Sequence, residues 1–334
     1  MFLGIPNLGI AYAKLKSINM TNYIEQLNTF NLDNLPDLEI AVLGALEMLS
    51  QKQLPSIELN QFKHPLVVGS GNAEATGRII FSDSGAIYAS ESNVEAKLKH
   101  IPYIDEVIIV SASGGKHAPI IASQAAANNK HITLITNTAD SLAARAVDES
   151  LITVHVFPKN REPYTYNTST YMSMLLGYTH EDPSAIKQFI ETDLQSLNMP
   201  DFSKYNKFYL IVPPQFSGIV RMLQVKFIEL FGRNIARDVE TSEYVKHATT
   251  VAPSDELFIS FGEINQTWGQ PGQRLNIPLP GSSNYVAMMA VGYYLVSQIQ
   301  KAQPPYFKDN IANYCNYISA IFNETIEPIV EAGN

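Results

Sequence analysis

Two short turns rich in glycine and serine have residue types that could hold a small anion. One runs from residue 69 to 72 as Gly-Ser-Gly-Asn, and the other from residue 111 to 116 as Ser-Ala-Ser-Gly-Gly-Lys. Each turn lies between an apolar run and a helical pattern. The start of a helix offers free backbone N–H groups, glycine lets an anion approach the backbone closely, and serine adds hydroxyl donors. These turns predict a phosphate site, with the candidate residues Ser70, Gly71, Asn72, Ser111, Ser113, Gly114 and Lys116. The alternative is that both are tight connections in which glycine only relieves crowding.

The first turn also resembles part of a dinucleotide-binding loop. Gly69 and Gly71 supply the first two glycines of a G-x-G-x-x-G pattern, but Glu74 stands in the place of the third. Glu91 lies near the spacing expected of an acid that binds ribose. The missing glycine and the second, serine-rich turn argue against a nicotinamide cofactor.

The C-terminal half carries ionisable side chains in place of such turns. Lys226 and Glu229 are three residues apart, and on the helix predicted for residues 218–231 this spacing places them on one face. His247 follows in the segment Glu-Tyr-Val-Lys-His. From residue types alone, the commoner outcomes are a solvated ion pair and a surface or capping histidine.

Alternating apolar and helical segments must position these residues. Val- and Ile-rich runs alternate with helical stretches from residue 65 to 157, and a second, diverged series starts near residue 207. Such runs predict parallel strands covered on both faces, wound as αβα sandwiches. The predicted strands are Pro65–Val68, Ala86–Ala89, Val107–Val110, Ile132–Ile135, Ile152–Phe157, Phe208–Val212, Leu257–Phe261 and Leu275–Pro280.

We therefore predict an α/β protein with two doubly wound domains and parallel sheets. An N-terminal helical segment covers residues 1–60, with helices at Ala11–Leu27 and Leu38–Leu49. The first domain covers residues 61–200 and carries the phosphate turns, and the second covers residues 201–334 and carries the acid–base residues.

Composition excludes several classes of function. The net charge of −9, from 32 acidic and 23 basic residues, disfavours nucleic acid. A single cysteine, Cys315, excludes a disulfide framework, and no apolar run is long enough to span a membrane. Without a basic apolar leader, the chain is expected in the cytoplasm. Only 16% of its residues are charged, and we attribute this, with the apolar run Tyr285–Val296, to a buried subunit interface.

The two turns, with Ile135-Thr136-Asn137 and Ser141-Leu142-Ala143, resemble the sugar isomerase (SIS) domain family. Two such domains in tandem are similar to the isomerase half of glucosamine-6-phosphate synthase, over roughly residues 20–310. The resemblance implies that Ser70, Asn72, Ser111 and Ser113 hold a sugar phosphate, with Lys116 replacing a threonine of the usual loop. It also implies that Ser169 and Thr170 line the sugar.

The same resemblance implies roles for the residues of the second half. The segment 225–229 looks like the family helix whose glutamate, here Glu229, moves the proton, with Lys226 beside it. The segment 243–248 looks like the family segment whose histidine, here His247, assists ring opening in the neighbouring subunit. Ala248 departs from the usual glycine there, and the synthase's C-terminal catalytic lysine and its glutaminase domain have no counterpart in these 334 residues.

Together these features predict a homodimeric phosphosugar isomerase or deaminase that acts on a hexose or amino-hexose phosphate. The reaction needs an inert phosphate anchor, an acid–base group for ring opening and a base for transfer between C1 and C2. No metal, cofactor or glutaminase activity is expected. The alternative is a non-catalytic protein that senses a phosphosugar through the same anchor.

Overall fold

The N-terminal part of the chain forms two helices against the rest of the molecule. The computed structural model describes residues 22–250 and 255–333. Helix α1 (Tyr23–Thr29) begins at Asn22, whose side chain accepts the Glu25 N–H at 2.9 Å. Helix α2 (Leu38–Leu49) has the predicted bounds, whereas the predicted helix 11–27 lies mainly outside the described residues.

The first series forms a parallel sheet of five strands in the order β2-β1-β3-β4-β5. Its elements are β1 (Pro65–Val68), α3 (Asn72–Ile80), β2 (Ile87–Ala89), α4 (Val94–His100), β3 (Glu106–Val110), α5 (Ala118–Ala127), β4 (His131–Thr136), α6 (Leu142–Arg145) and β5 (Ile152–Val156). Alternate strand residues enter different cores, with Val67 in one and Leu66 in the other. The prediction of a sheet buried on both faces is confirmed.

The rest of the chain forms a linking segment, a second parallel sheet and a C-terminal helix. The order of the second sheet is β10-β9-β7-β8, and the short β11 pairs antiparallel with β6. The elements are β6 (Glu162–Pro163), α7 (Thr168–Thr179), α8 (Pro183–Phe189), β7 (Lys207–Val212), α9 (Val220–Phe231), β8 (Ala236–Thr241), α10 (Val245–Ala248), β9 (Leu257–Phe261), β10 (Arg274–Ile277), α11 (Tyr285–Ala302), α12 (Tyr306–Phe322) and β11 (Ile329–Val330).

Strand β8 was not among the predicted strands. Its sequence, Ala-Arg-Asp-Val-Glu-Thr, contains only two apolar residues, Ala236 and Val239, and the strand lies at the edge of the sheet. A strand of this composition shows neither a continuous apolar run nor a regular alternation.

A layer of helices joins the two sheets into one hydrophobic core. Helices α2, α7, α9 and α11 pack together there, and the core includes Val67 of the first sheet and Leu210 of the second. Gly292 of α11 permits close approach to α9, since a Cβ atom would lie 2.8 Å from Leu223 Cδ2. Within residues 22–250 and 255–333, no helix is long and apolar enough to cross a membrane.

Helix α11 corrects one argument from the sequence. The apolar run Tyr285–Val296 is buried in the chain itself, against α2, α7 and α9. Its composition therefore reflects an internal core helix and gives no support for a subunit interface. The homodimer stays a prediction that rests on the family resemblance and on the low charge content.

Candidate functional site

The turn after β1 leaves a helix N-terminus open. Gly71 precedes α3 with φ +59°, a conformation that favours glycine, and the helix has no side-chain cap. Ser70 is exposed, whereas Asn72 is buried and its Oδ1 has no hydrogen-bond partner among the described residues. The Ala73 N–H donates to the Ser70 carbonyl at 3.2 Å, whereas the Ser70 hydroxyl is exposed and can donate to an anion at the carboxyl end of β1.

The serine-rich turn lies next to it, because β1 and β3 are neighbouring strands. Ser111 Oγ accepts the Gly114 N–H at 3.2 Å, and Ser113 Oγ accepts the Gly115 N–H at 3.2 Å. Each hydroxyl keeps its own hydrogen to donate. Gly114 has φ +59°, and a Cβ there would lie 2.5 Å from Ser141 Oγ, so the turn requires glycine at this position.

Lys116 connects this turn to the end of α12. Its ammonium lies 3.9 Å from the Glu324 carboxylate and 4.8 Å from the centre of the Phe322 ring. All three side chains are largely exposed. The cation is therefore free to exchange its carboxylate for another anion.

The two acidic residues considered for a dinucleotide-binding loop, Glu74 and Glu91, are each paired with another side chain. Glu74 pairs with Arg78 at 2.9 Å, one helical turn away. Glu91 lies 3.2 Å from the ring of His117.

Lys226 is buried at the centre of a hydrogen-bond cluster. Its ammonium donates to the carbonyls of Thr165 and Tyr166, at 2.7 and 2.8 Å, and to Glu229 Oε2 at 2.7 Å. The side chain has no exposed surface, so the alternative of a solvated ion pair is wrong for Lys226. All three N–H groups are engaged, which suits a residue that positions Glu229 more than one that transfers a proton.

Glu229 lies at the edge of this cluster with one fifth of its side chain exposed. Burial raises the pKa of Glu229, and the neighbouring Lys226 acts in the opposite direction. The phenols of Tyr164, Tyr171 and Tyr293 lie near enough to interact with it electrostatically, and burial raises the pKa of each of them. Tyr314 of α12 adds a ring 6.5 Å from that of Tyr164. Glu229 is thus a partly accessible carboxylate in an aromatic setting.

Sequence reasoning missed a second buried carboxylate, Glu162. Its two oxygens accept the N–H groups of Thr168 and Ser169 at 2.7 and 2.8 Å. Burial raises the pKa of Glu162, while Ser169, Thr168 and Lys226 act to lower it. No spacing rule could have found this residue, because a lone glutamate in a polar stretch of sequence is usually exposed.

The predicted sugar-lining residues, Ser169 and Thr170, begin α7 and are buried. Ser169 Oγ accepts the Asn160 N–H at 2.9 Å. Ser169 therefore helps to shape the turn that also holds Lys226.

His247 lies apart from this cluster in the contacts recorded for the described residues. It is exposed on the short helix α10, after β8, and its ring centre is 6.3 Å from that of Tyr244. The structure thus groups Lys226, Glu229 and the start of α7, and leaves His247 outside. Within the residues that the structure covers, no cluster of His, Cys, Asp and Glu could hold a metal ion.

Comparison with solved structures identifies the architecture. No protein-family model and no curated protein sequence matches the chain. The C-terminal domain of glucosamine-fructose-6-phosphate aminotransferase from Francisella tularensis superposes with a TM-score of 0.53 and 11% identity, over 88% of this chain and 98% of that one.

Two enzymes of sugar phosphate metabolism are equally similar in fold. Glucosamine-6-phosphate deaminase from Thermotoga maritima gives a TM-score of 0.54 at 12% identity, over 84% of this chain and 94% of that one. Tagatose-6-phosphate ketose/aldose isomerase from Escherichia coli gives a TM-score of 0.52 at 13% identity, over 85% of this chain and 90% of that one. The resemblance inferred from the turns is thereby confirmed for the fold: this chain has the sugar isomerase architecture.

Proposed function

We propose that this chain, with its sugar isomerase fold, is a phosphosugar isomerase or deaminase that acts on a hexose or amino-hexose phosphate. One observation carries the proposal: Glu229, partly accessible and with a raised pKa, is held at 2.7 Å by the fully buried Lys226. A buried cation aligned on a partly accessible carboxylate is an arrangement suited to a positioned general base.

The phosphate would bind between the neighbouring turns after β1 and β3. The open start of α3, the Ser111 and Ser113 hydroxyls and the Lys116 ammonium are the donors that support this placement. Binding energy from the phosphate would then orient the carbons that react.

Glu229 would take the proton from C2 of an open-chain aldose phosphate and return it to C1 of the resulting enediol. Because burial raises its pKa, the carboxylate is a stronger base than one in water. A deaminase would use the same transfer on an amino sugar, with water added and ammonia released. Lys226 would hold Glu229 in place throughout.

Ring opening would fall to His247 of a second copy in a homodimer. His247 is exposed and separate from the Lys226–Glu229 pair within one protomer. An imidazole titrates near neutral pH and suits a proton shuttle. The same separation favours the second candidate function, a protein that binds a phosphosugar without turning it over.

Turnover of hexose and amino-hexose phosphates in deuterated water tests the proposal. Isomerisation through an enediol incorporates deuterium at the carbon that receives the proton, because the proton held on Glu229 exchanges with the solvent before it is returned, and deamination releases ammonia. Glu229→Gln should lower turnover about 10²–10⁴-fold while binding is retained. Glu191→Gln is the control, because Glu191 pairs with Lys187 at 3.0 Å on a helix elsewhere. Full activity of E229Q on a confirmed substrate contradicts the role of Glu229, and binding without turnover for every ligand supports the sensor.

A further inference from the structure

A cavity of about 380 Å³ lies at the carboxyl end of the first sheet, beside the serine-rich turn. Its lining includes Asn137 and Asp140 after β4, Lys159 after β5 and Gly333 after β11. The Asn137 N–H donates to the carbonyl of Ala112, in the serine-rich turn, at 2.9 Å. The cavity therefore borders the turn in which we place the phosphate, and its volume suits part of a small ligand.

Lys159 brings to this cavity an ammonium group that has no partner of its own. Within residues 22–250 and 255–333, the ammonium makes no hydrogen bond or ion pair. Its aliphatic stem lies against Gly333, where a Cβ atom would be 3.1 Å from Lys159 Cγ, and the Gly333 N–H donates to the Lys159 carbonyl at 3.2 Å. The lysine is half-buried, and burial lowers its pKa. A bound anion would favour its charged form.

The acidic groups around this ammonium are each held by another partner. Asp140 pairs with Arg145, with 2.6 Å between Oδ2 and Nη2. Glu331 and Glu162 interact with the ammonium at longer range. However, Glu331 pairs with Arg161 at 3.2 Å, and Glu162 accepts two N–H groups at the start of α7. The ammonium is therefore available to an anionic group of a ligand.

Asn137 adds a polar group of the opposite character. Its side chain is only 3% exposed, and its Nδ2 donates to the carbonyl of Phe157 at 2.9 Å. Its Oδ1 has no hydrogen-bond partner among the described residues. A buried acceptor of this kind is satisfied by a donor, and a sugar hydroxyl is one. A cation and an acceptor side by side suit a hydroxylated ligand that also carries a negative charge.

We propose that this cavity is a second anion subsite, in which Lys159 binds a carboxylate or a further phosphate of a sugar whose first phosphate lies at the serine-rich turn. The inference rests on the proposed function and narrows its substrate class to phosphosugars with two anionic groups. One residue, Asn137, lies between the turn and the cavity, a separation that a six-carbon chain spans. The alternative is that Lys159 is a solvated cation without a ligand.

Calorimetric titration of the full chain with two matched pairs of ligands tests the subsite. The pairs are glucose 6-phosphate with 6-phosphogluconate, which adds a carboxylate, and fructose 6-phosphate with fructose 1,6-bisphosphate, which adds a phosphate. In each pair the wild type should bind the ligand with two anions about tenfold or more tightly, because a charge-assisted hydrogen bond is gained.

Replacing Lys159 by methionine should remove this preference. K159M should bind each monophosphate with the affinity of the wild type, since the serine-rich turn is intact. The matched control is K99M, which removes the same charge. Lys99 is exposed near the end of α4, before β3 begins, and so lies at the opposite end of the strands. K99M should keep the preference of the wild type.

A second measurement needs no variant and decides the matter if K159M does not fold. Because burial lowers the pKa of Lys159 and a bound anion favours its charged form, binding of the second anion should take up protons at about pH 9. Titrations in two buffers of different ionisation enthalpy report this uptake. It should be larger for 6-phosphogluconate than for glucose 6-phosphate.

Equal affinities within both pairs, equal proton uptake, or a preference that survives in K159M would overturn the subsite, and so would a preference lost equally in K99M. Turnover of the monophosphates would leave the proposed function intact in each of these cases. A preference for only one kind of second anion supports the subsite and identifies the group that it binds. A preference that depends on Lys159, without turnover of any phosphosugar, refutes the proposed catalysis and supports the subsite.

Discussion

Replacing Lys226 by methionine removes the cation at the centre of the site and keeps most of its volume. The lysine has no exposed surface and donates to two carbonyls and a carboxylate at 2.7–2.8 Å. Removing one member of a buried ion pair costs about 3–5 kcal/mol, because its partner stays buried without compensation. We expect K226M to lose about that much of its free energy of unfolding.

The loss should depend on pH through Glu229. Burial already raises the pKa of Glu229, and Lys226 acts against this rise, so the pKa increases further in K226M. A carboxyl group whose pKa is higher in the folded than in the unfolded state binds more protons when folded, and stability then falls as pH rises between the two values. The loss of unfolding free energy in K226M should therefore be larger near pH 8 than near pH 5.

Urea unfolding at the two pH values, followed by circular dichroism, measures this deficit. Adding E229Q to K226M should recover part of the loss near pH 8, since no buried carboxylate is left without a cation. The control is K207M, because Lys207 pairs with Asp255 at 2.7 Å in an exposed position and its loss should cost about 0–1 kcal/mol. A K226M protein as stable as K207M, or equally destabilised at both pH values, would refute the reasoning.

Three further variants test other parts of the site. Ser113→Ala removes one donor to a charged ligand, so phosphosugar affinity measured by calorimetry should fall at least about tenfold; an unchanged dissociation constant would reject the anchor. Gly114→Ala places a Cβ atom at a residue with φ +59°, 2.5 Å from Ser141 Oγ. It should therefore lower the free energy of unfolding by about 1–3 kcal/mol, measured by thermal or urea unfolding. Gly281→Ala is the control, because a Cβ atom there meets no atom within 4 Å, and it should leave the stability unchanged. His247→Ala should slow turnover of cyclic substrates more than of open-chain ones in stopped-flow assays, and equal effects on both would exclude a role in ring opening.

Local patterns were sufficient to predict most strands and the two turns. The inner strands β1 and β3 are continuous apolar runs from Pro65 to Val68 and from Val107 to Val110, because both of their faces are buried. The two glycine- and serine-rich turns are recognisable for a similar reason, since a tight turn from a parallel strand into a helix is built from glycine and small polar residues within a few positions. Strand β8 escaped prediction because it lies at a sheet edge and only two of its six residues are apolar.

Long-range packing decided which ionisable residues belong to the site. The spacing of Lys226 and Glu229 is the same for an exposed pair and a buried one, and the sequence alone favoured the exposed pair. The partners that distinguish the two cases, the carbonyls of Thr165 and Tyr166, lie 61 and 60 residues away along the chain. Burial of Glu162 likewise depends on where α7 begins in space.

The amino-acid sequence by itself thus determined the α/β class, the two parallel sheets and the small-residue turns after β1 and β3, because apolar runs, helical spacing and turn residues are patterns of residues near in the chain. Only the tertiary structure decided that Tyr285–Val296 is an internal core helix and that Lys226 is buried against Glu229 and the carbonyls of Thr165 and Tyr166. The physical reason is that desolvation depends on everything packed around a group, and most of those atoms come from distant segments of the chain.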